Sequence, residues 1–429
     1  MRERIAIIDG IRTPNTKAGG VLARYSADDL GAIAVRELMA KTGYSHAALD
    51  ECIVGNVAQP ADAANVARVV ALKAGLPENL IASTVHRNCA SGMEAITTAA
   101  AKILAGDGEV FVCAGIESMS NIPLLFGRKM TDLFAAAMRA KGLFAKLGVW
   151  SRFRPSMLTP IIGIQQGLTD PINGMIMGKT AEVLAREFAI SRADQDAFSL
   201  ESHRRAALAT KDGILAQEIT PVPVPPGFTE MITADDGIRA DLTAAQLAKL
   251  KPYFDRLAGT VTVGNSSQLT DGACAVLVMA ESRAIAEGLK PLGFLRGYAY
   301  AALDGRRMGL GPVFASAKAF DRTGLTLADM QLIELNEAFA AQVLACQKAF
   351  ASDAFAKKEL GRDHALGPID PAILNVNGGG IALGHPVGST GARLVVTLLK
   401  ELRRRKLHRG LATLCVGGGQ GAALILETE

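Results

Sequence analysis

The sequence predicts an α/β protein built from two similar halves, with a segment of different character inserted between them. Three observations predict it. Short apolar runs alternate with helical patterns along the first stretch of the chain. A unit of Gly-containing loop, helix and strand ending in Cys then Gly occurs twice. Between the two copies, residues 123–258 lose the strand–helix rhythm. The bulk numbers agree: 429 residues, 49% of them hydrophobic, exclude a disordered chain and a single small module. A net charge of +4 and 5% aromatics argue against a nucleic-acid partner.

Taken in order, Ile5–Asp9 reads as a strand that follows the N-terminus directly, and no secretory signal is expected. Ala27–Lys41 carries apolar residues at 30, 33, 34 and 38 and reads as a helix opening on Asp28. Glu51–Val57 is a second strand. The first copy of the repeat begins with Asn88-Cys-Ala-Ser-Gly-Met, continues as the helical run Ala95–Leu104 and ends in the strand Glu109–Gly115. The second copy begins with Gly384-His-Pro-Val-Gly-Ser-Thr-Gly, continues as Ala392–Arg404 and ends in the strand that starts at Leu411 and reaches Cys415 and three glycines. Two copies of one unit place their helix-opening loops at comparable ends of their sheets. Cys89 and His385 are therefore expected to face each other across the interface between copies.

The intervening segment contains a breaker cluster, Pro221-Val-Pro-Val-Pro-Pro-Gly. Pro123–Pro160 holds seven Lys or Arg and one acid, Asp132, a net of +6 that leaves the rest of the chain at −2. Phe134, Met138, Phe144, Leu147, Trp150 and Phe153 are interleaved with that charge, which makes the stretch basic and amphipathic. Pro155–Thr169 is uncharged, but it is too short and too rich in Pro, Gly and Gln to span a bilayer.

The candidate chemistry centres on thiols. Six cysteines stand at 52, 89, 113, 274, 346 and 415 without a CxxC pair, which fits a reducing compartment and argues against a metal site. Cys89 opens a helix, where partial positive charge and free N–H groups favour thiolate; its bland reading is a small buried hydrophobe. Gly92 lets another backbone approach closely. His385 lies in a loop with six glycines between 378 and 391, either as a base or as an imidazole tied to backbone; the loop itself could cradle phosphate. No Lys-Ser or Lys-Thr follows the glycines, so a P-loop is excluded. Cys415, before Gly417-Gly418-Gly419, sits where a thiol and N–H groups can make an oxyanion hole. Asn336 lies at a strand-to-helix junction, where helix capping is its plain role. The remaining four cysteines lie in apolar runs and read as structural.

With these segments in hand, the chain resembles the thiolase family. The resemblance rests on Asn88-Cys89-Ala-Ser-Gly-Met-Glu-Ala, Gly259-Thr-Val-Thr-Val-Gly-Asn-Ser-Ser, Asn336-Glu-Ala-Phe-Ala, Gly384-His385-Pro-Val-Gly and Cys415-Val-Gly-Gly-Gly-Gln-Gly, in family order over nearly the whole chain. It implies two similar βαβαβαββ-type halves stacked in five layers with an inserted loop domain. The corresponding boundaries are 1–122 with 259–290 for the first half, 123–258 for the loop domain and 291–429 for the second half. It implies thiolysis of a 3-ketoacyl-CoA by coenzyme A, as in fatty-acid β-oxidation, with coenzyme A as substrate and no cofactor or metal. Cys89 is then the nucleophile, His385 its base and Cys415 the second acid/base. The amides of Cys89 and Gly417 hold one oxyanion, and His385 with a water on Asn336 stabilises the enolate. Ser267 contacts the pantetheine arm; Met177, Met308 and Phe339 line the pocket. A homodimer or homotetramer in the cytoplasm is expected.

Two positions depart from the pattern. Ile176 stands where short-chain biosynthetic members carry His, which argues against strict acetoacetyl-CoA specificity. The basic insert at 123–176 resembles that of the β subunit of the trifunctional fatty-acid oxidation enzyme, although that subunit often has His where this chain has Asn336. This points to a hydratase/dehydrogenase subunit or a membrane surface as partner for 123–160; the bland alternative is a lid packed on its own loop domain with its basic face solvated, or basic residues meeting the 3′-phosphate of coenzyme A. The alternatives are an acetyl-CoA C-acetyltransferase, a β-ketoacyl synthase-like enzyme, which would need His at 336 and no Cys415, and a non-catalytic lipid-binding homologue, which should have lost Cys89, His385 or Cys415.

Overall fold

The structure, a computed structural model, describes residues 3–429. The chain runs β1 (Ile5–Arg12), α1 (Ala27–Thr42), β2 (Glu51–Asn56), α2 (Val66–Lys73), β3 (Ile81–Val85), α3 (Ser91–Ala105) and β4 (Val110–Ser118). A separate compact unit, Ile122–Ile176, holds α4 (Arg128–Arg139) and α5 (Leu143–Trp150). The larger unit resumes with α6 (Met177–Glu187), α7 (Arg192–Lys211), β5 (Thr270–Ala280), β6 (Gly293–Ala302), α8 (Gly311–Thr323) and β7 (Leu332–Leu335). It ends with α9 (Ala340–Phe350), α10 (Val387–Arg405), β8 (Arg409–Val416) and β9 (Gln420–Glu427).

The main strands form one sheet in the order β7-β8-β9-β6-β1-β5-β4-β2-β3. The internal repeat is written into that order. From β1 the pairings run antiparallel to β5, antiparallel to β4, then parallel to β2 and β3. From β6 they run antiparallel to β9, antiparallel to β8, then parallel to β7 and, through a single bridge from Ile333, to Leu374. The two series meet where Ile5–Ile7 pair antiparallel with Gly293–Leu295.

Period-two alternation sorts side chains into layers. In β4, Val110, Val112, Ala114 and Ile116 pack with Leu30, Leu38 and Val70 of α1 and α2, while Phe111 and Cys113 face α3 and α10. In β9, Leu424 and Leu426 face the same central pair of helices, while Ala423 and Ile425 pack with α8 and α9. Five layers result: two helices, half a sheet, the α3/α10 pair, half a sheet, two helices. The four cysteines read as structural, Cys52, Cys113, Cys274 and Cys346, are buried in these layers.

Some boundaries differ from those read in the sequence. Ser26, not Asp28, opens α1: its side chain accepts from the Asp29 amide while Asp29 bonds back, a reciprocal capping box. The loss of strand–helix rhythm spans 123–258, whereas the separate unit is only Ile122–Ile176. Residues beyond it are bound into the larger unit by α6, whose Ala181 and Ala185 pack in one apolar cluster with Cys415. The buried Glu182 of that helix accepts from the amides of Thr260 and Val261.

Within Ile122–Ile176, Leu124–Phe126 pairs antiparallel with Pro160–Ile162. Phe134 lies 5.7 Å from both Phe126 and Trp150. Met130 and Leu133 are buried, but Met138 and Phe144 are 87% and 89% exposed. Among the described residues, no helix is long and apolar enough to cross a membrane.

Candidate active site

The chain turns sharply between β3 and α3. Asn88 takes a left-handed backbone, φ +44°, and Cys89 follows one residue before the cap residue Ala90. Cys89 is half-buried. Burial pushes its thiol up to about 11, against the opposing pull of the backbone amides of Gly417 and of Cys89 itself. The helix start was expected to favour thiolate. Desolvation outweighs it, and Cys89 rests as a thiol.

His385 is buried, and its Nδ1 lies 2.6 Å from Thr390 Oγ1. The Thr390 hydroxyl also reaches the Pro386 carbonyl at 3.0 Å. A carbonyl only accepts, so the single hydroxyl proton goes to Pro386 and Thr390 accepts from Nδ1–H. This leaves Nε2 as the lone-pair nitrogen, the tautomer a base requires. Burial first, then the Arg393 guanidinium, lower His385 to about 3, so it is neutral.

The turns that carry Cys89 and His385 are held together by glycines. A Cβ on Gly92 would lie 2.6 Å from the Ala392 nitrogen, and one on Gly391 2.7 Å from the Met93 nitrogen. The starts of α3 and α10 thus touch backbone to backbone. Buried Glu117 adds a tie across this contact, accepting from the Asn56 side chain (3.1 Å) and from the amides of Ala58 (3.1 Å) and Gly388 (3.0 Å).

Cys415 ends β8 in an apolar cluster that also holds Met177, Met308, Phe339 and Phe254. Burial and then the neighbouring Cys89 push its thiol well above the usual value, so Cys415 also rests as a thiol. Gly417 follows, in a loop where Gly418 and Gly419 both take positive φ. A Cβ there would meet Met177 Sδ at 3.5 Å and Asn88 Nδ2 at 3.7 Å. Ser267 is half-buried and its amide donates to Ala338 O at 2.9 Å, beside Phe339.

Asn336 does not cap a helix; the residue before α9 is Phe339. Its side chain is fully buried, yet neither Oδ1 nor Nδ2 has a protein partner. Its neighbours are rigidly held. Asn375 bonds both backbone atoms of Leu335, and Glu337 accepts from Ser202, Asn375 and the Ile381 amide. Gly380 leaves room beside it, since a Cβ there would stand 3.0 Å from Asn336 Oδ1. A buried amide without a partner amid such order is a place for a bound water or substrate oxygen.

The sequence reading missed Thr390, Glu117, Arg393 and the side chain of Asn88. Thr390 stands five residues after His385 in a stretch read as loop; it becomes informative only once α10 is seen to start at Val387. A cavity of about 430 Å³ lies elsewhere, lined by Phe198, Glu337 and Leu344 among others. None of the predicted site residues lines it. Among the described residues, no cluster of His, Cys, Asp and Glu could hold a metal.

The sequence and the fold have known counterparts. Residues 5–282 match the model of the thiolase N-terminal domain and residues 289–428 that of the thiolase C-terminal domain. A 3-ketoacyl-CoA thiolase of Yersinia pestis is 44% identical over 428 residues, covering 100% of this chain and 97% of that protein. The structure of an acetyl-CoA acetyltransferase from Bacillus anthracis matches at a TM-score of 0.87 and 36% identity, covering 99% of both chains. Human mitochondrial 3-ketoacyl-CoA thiolase in complex with CoA matches at 0.85 and 33% identity, covering 100% of this chain and 98% of that one. With both halves of the family model matched and the fold shared from end to end, the chain belongs to the thiolase family.

Proposed function

We propose that this enzyme cleaves 3-ketoacyl-CoA thioesters with coenzyme A, giving acetyl-CoA and an acyl-CoA shortened by two carbons, through an acyl intermediate on Cys89. The observation that best supports this reading is the close approach of the helix starts beside Cys89 and His385, where Gly92 of α3 meets Ala392 of α10. Cys89 and Cys415 both rest as thiols, and Thr390 holds the His385 proton on Nδ1, leaving Nε2 as the acceptor.

Both partners rest uncharged, so the proton passes from Cys89 to His385 as sulfur attacks the 3-keto carbon. The alkoxide formed sits against the amides of Cys89 and Gly417. Its collapse breaks the C2–C3 bond, leaving the acyl group on Cys89 and the electron pair on the acetyl-CoA enolate. The thioester oxygen of that enolate is stabilised by His385 and by a water on the partnerless amide of Asn336. Cys415 donates its proton to the enolate carbon. As a thiolate, Cys415 then takes the proton of coenzyme A, whose sulfur removes the acyl group. Cys89 recovers its proton from His385, and every group returns to its starting state.

Met177, Met308 and Phe339 form the apolar wall beside the reacting carbons, a role supported by their grouping around Cys415; Ser267, whose amide bonds Ala338 O beside Phe339, meets the pantetheine arm. A homodimer is supported by β3. Among the described residues it ends the sheet, and its Ile81 is 62% exposed, a surface suited to a second copy. Residues 123–160 are read as a docking surface for a hydratase/dehydrogenase subunit or an anionic membrane. A mechanism that spends two free thiols fits a reducing, cytoplasmic setting.

The direct test is a series of thiolysis rates over 3-ketoacyl-CoA chain lengths, run beside Cys89→Ala. The variant should fold, show no thiolysis and carry no acyl group. Thiolysis near the wild-type rate would remove Cys89 from the mechanism. Activity on acetoacetyl-CoA alone would favour the acetyltransferase reading.

A further inference from the structure

We propose that Asn88 is a positioning residue for acyl transfer, aiming the Cys89 sulfur through its backbone and anchoring the Gly417 oxyanion loop through its side chain. The inference rests on the roles given above to Cys89 and Gly417. Asn88 Nδ2 donates to the Gly417 carbonyl at 2.8 Å. Its Oδ1 lies 2.9 Å from His86 Nε2. The Gly417 oxygen can only accept, so the amide must turn its NH2 toward it, and the His86 ring N–H then donates to Oδ1. Both ends of the amide are fixed.

The loop needs such an anchor. Gly417-Gly418-Gly419 has no side chains, and the last two residues take φ of +85° and +81°. Asn88 supplies a polar tether from the opposite half of the molecule, at the residue before the nucleophile. Residue type matters because the position makes two demands. A φ of +44° is tolerated by Gly, Asn and Asp and penalised in most other residues. Gly lacks the donor, and Asp would set a carboxylate against the Gly417 carbonyl. Asn alone of the three meets both demands. A shift in the Gly417 loop moves one of the two amides away from the developing oxyanion. Misplacement on the scale of 1 Å costs a rate factor of about a hundred.

The test uses the full-length enzyme with Asn88→Gly and Asn88→Asp. Asn88→Gly keeps the backbone angle and loses the tether, which separates positioning from turn strain. In Asn88→Gly, kcat for acetoacetyl-CoA thiolysis should fall about ten- to a hundredfold with KM within about threefold. The pH profile of iodoacetamide alkylation at Cys89 should shift upward, because an amide that favours the thiolate is displaced. The melting temperature should stay near that of the wild type. Asn88→Asp should lose at least as much kcat. A kcat within twofold of wild type and an unmoved alkylation profile in Asn88→Gly would overturn the proposal. So would a loss of activity matched by the loss of folded protein in both variants. Cys89→Ala run in parallel keeps the two readings apart. If it retains thiolysis, the assignment of the nucleophile fails; if it is inactive while Asn88→Gly is fully active, only the role of Asn88 fails.

Discussion

His385 is neutral at rest because burial and then Arg393 disfavour its charged form, and its Nε2 is open because Thr390 holds its proton on Nδ1. Arg393 and Thr390 both belong to α10. Replacing Thr390 with Val removes the acceptor for Nδ1–H while keeping the shape, and the imidazole is then free to take the wrong tautomer. Thiolysis kcat should fall about ten- to a hundredfold, within the range of general-base contributions. KM should change little, and Thr390→Ser should restore most of the rate. Equal activity in Thr390→Val and wild type would show that the hydroxyl does not select the tautomer. Cys415 allows a sharper dissection, since its role is confined to the carbon-bound proton and the incoming thiol. Cys415→Ala should still accept an acyl group on Cys89 but should not exchange the α-protons of acetyl-CoA with deuterated solvent, read by mass spectrometry. Exchange at the wild-type rate would assign proton transfer to another group. The residue types of Cys89, His385 and Cys415 were legible because few side chains can do this chemistry. Thr390, Glu117 and Asn88 were not, because their meaning lies in what they touch across 5 to 329 residues of chain.

At the scale of elements, the start of α3 beside Cys89 was legible, but α10 was read too short at its N-terminal end. The sequence placed helix from Ala392, whereas α10 starts at Val387. The misleading residues were Gly388 and Gly391, which pattern reading takes for loop; Gly92 of α3 shares their purpose. They lie inside helices, and their purpose is contact. Gly388 and Gly391 let the α10 turn press on Ile116 O and on the Met93 nitrogen, and Gly92 receives Ala392. The penalty of glycine within a helix is accepted here to bring two helix starts, each beside a reactive side chain, to backbone distance. Gly92→Ala should therefore be costly. Its methyl would stand 2.6 Å from a backbone nitrogen that cannot swing aside. We expect a loss of about 1–3 kcal/mol in denaturant unfolding, the usual range for overpacking, together with a fall in thiolysis. Gly148→Ala in α5 is the control. A Cβ there meets nothing within 4 Å, so it should be neutral or stabilising by about 0.5–1 kcal/mol. If both variants unfold at the same denaturant concentration as wild type, close approach of the two helices is not what these glycines provide.

At the scale of the molecule, the repeat was visible as a faint echo of loop, helix and strand, and it proves to be a matched series of strand pairings, down to the single bridge at Leu374 that stands where the other half has β3. The extent of the separate unit was less legible. Composition marks where strand–helix alternation stops, not where packing resumes, and α6 and α7 pack with the larger unit without restoring the alternation. The charge distribution was legible, because it needs no coordinates. Residues 123–160 carry a net of +6 while the rest sums to −2. Among the described residues, Arg128 pairs only with Asp132, four residues on, and both remain exposed. Leu143, Phe144 and Met138 stand exposed beside this charge. An exposed surface that is both basic and apolar suits an acidic protein or an anionic bilayer, where charge draws the surfaces together and apolar contact holds them. Binding of the enzyme to vesicles containing anionic lipid, or to an acidic hydratase/dehydrogenase subunit, should then weaken steeply from low to physiological salt, as charges are screened over about 8–10 Å. Neutralising Arg128, Lys129, Arg152 and Arg154 together should abolish that binding and leave acetoacetyl-CoA thiolysis unchanged. Salt-insensitive binding, or binding undiminished in the fourfold variant, would exclude this surface as the electrostatic contact. A matching loss of thiolysis would tie the segment to turnover instead of docking.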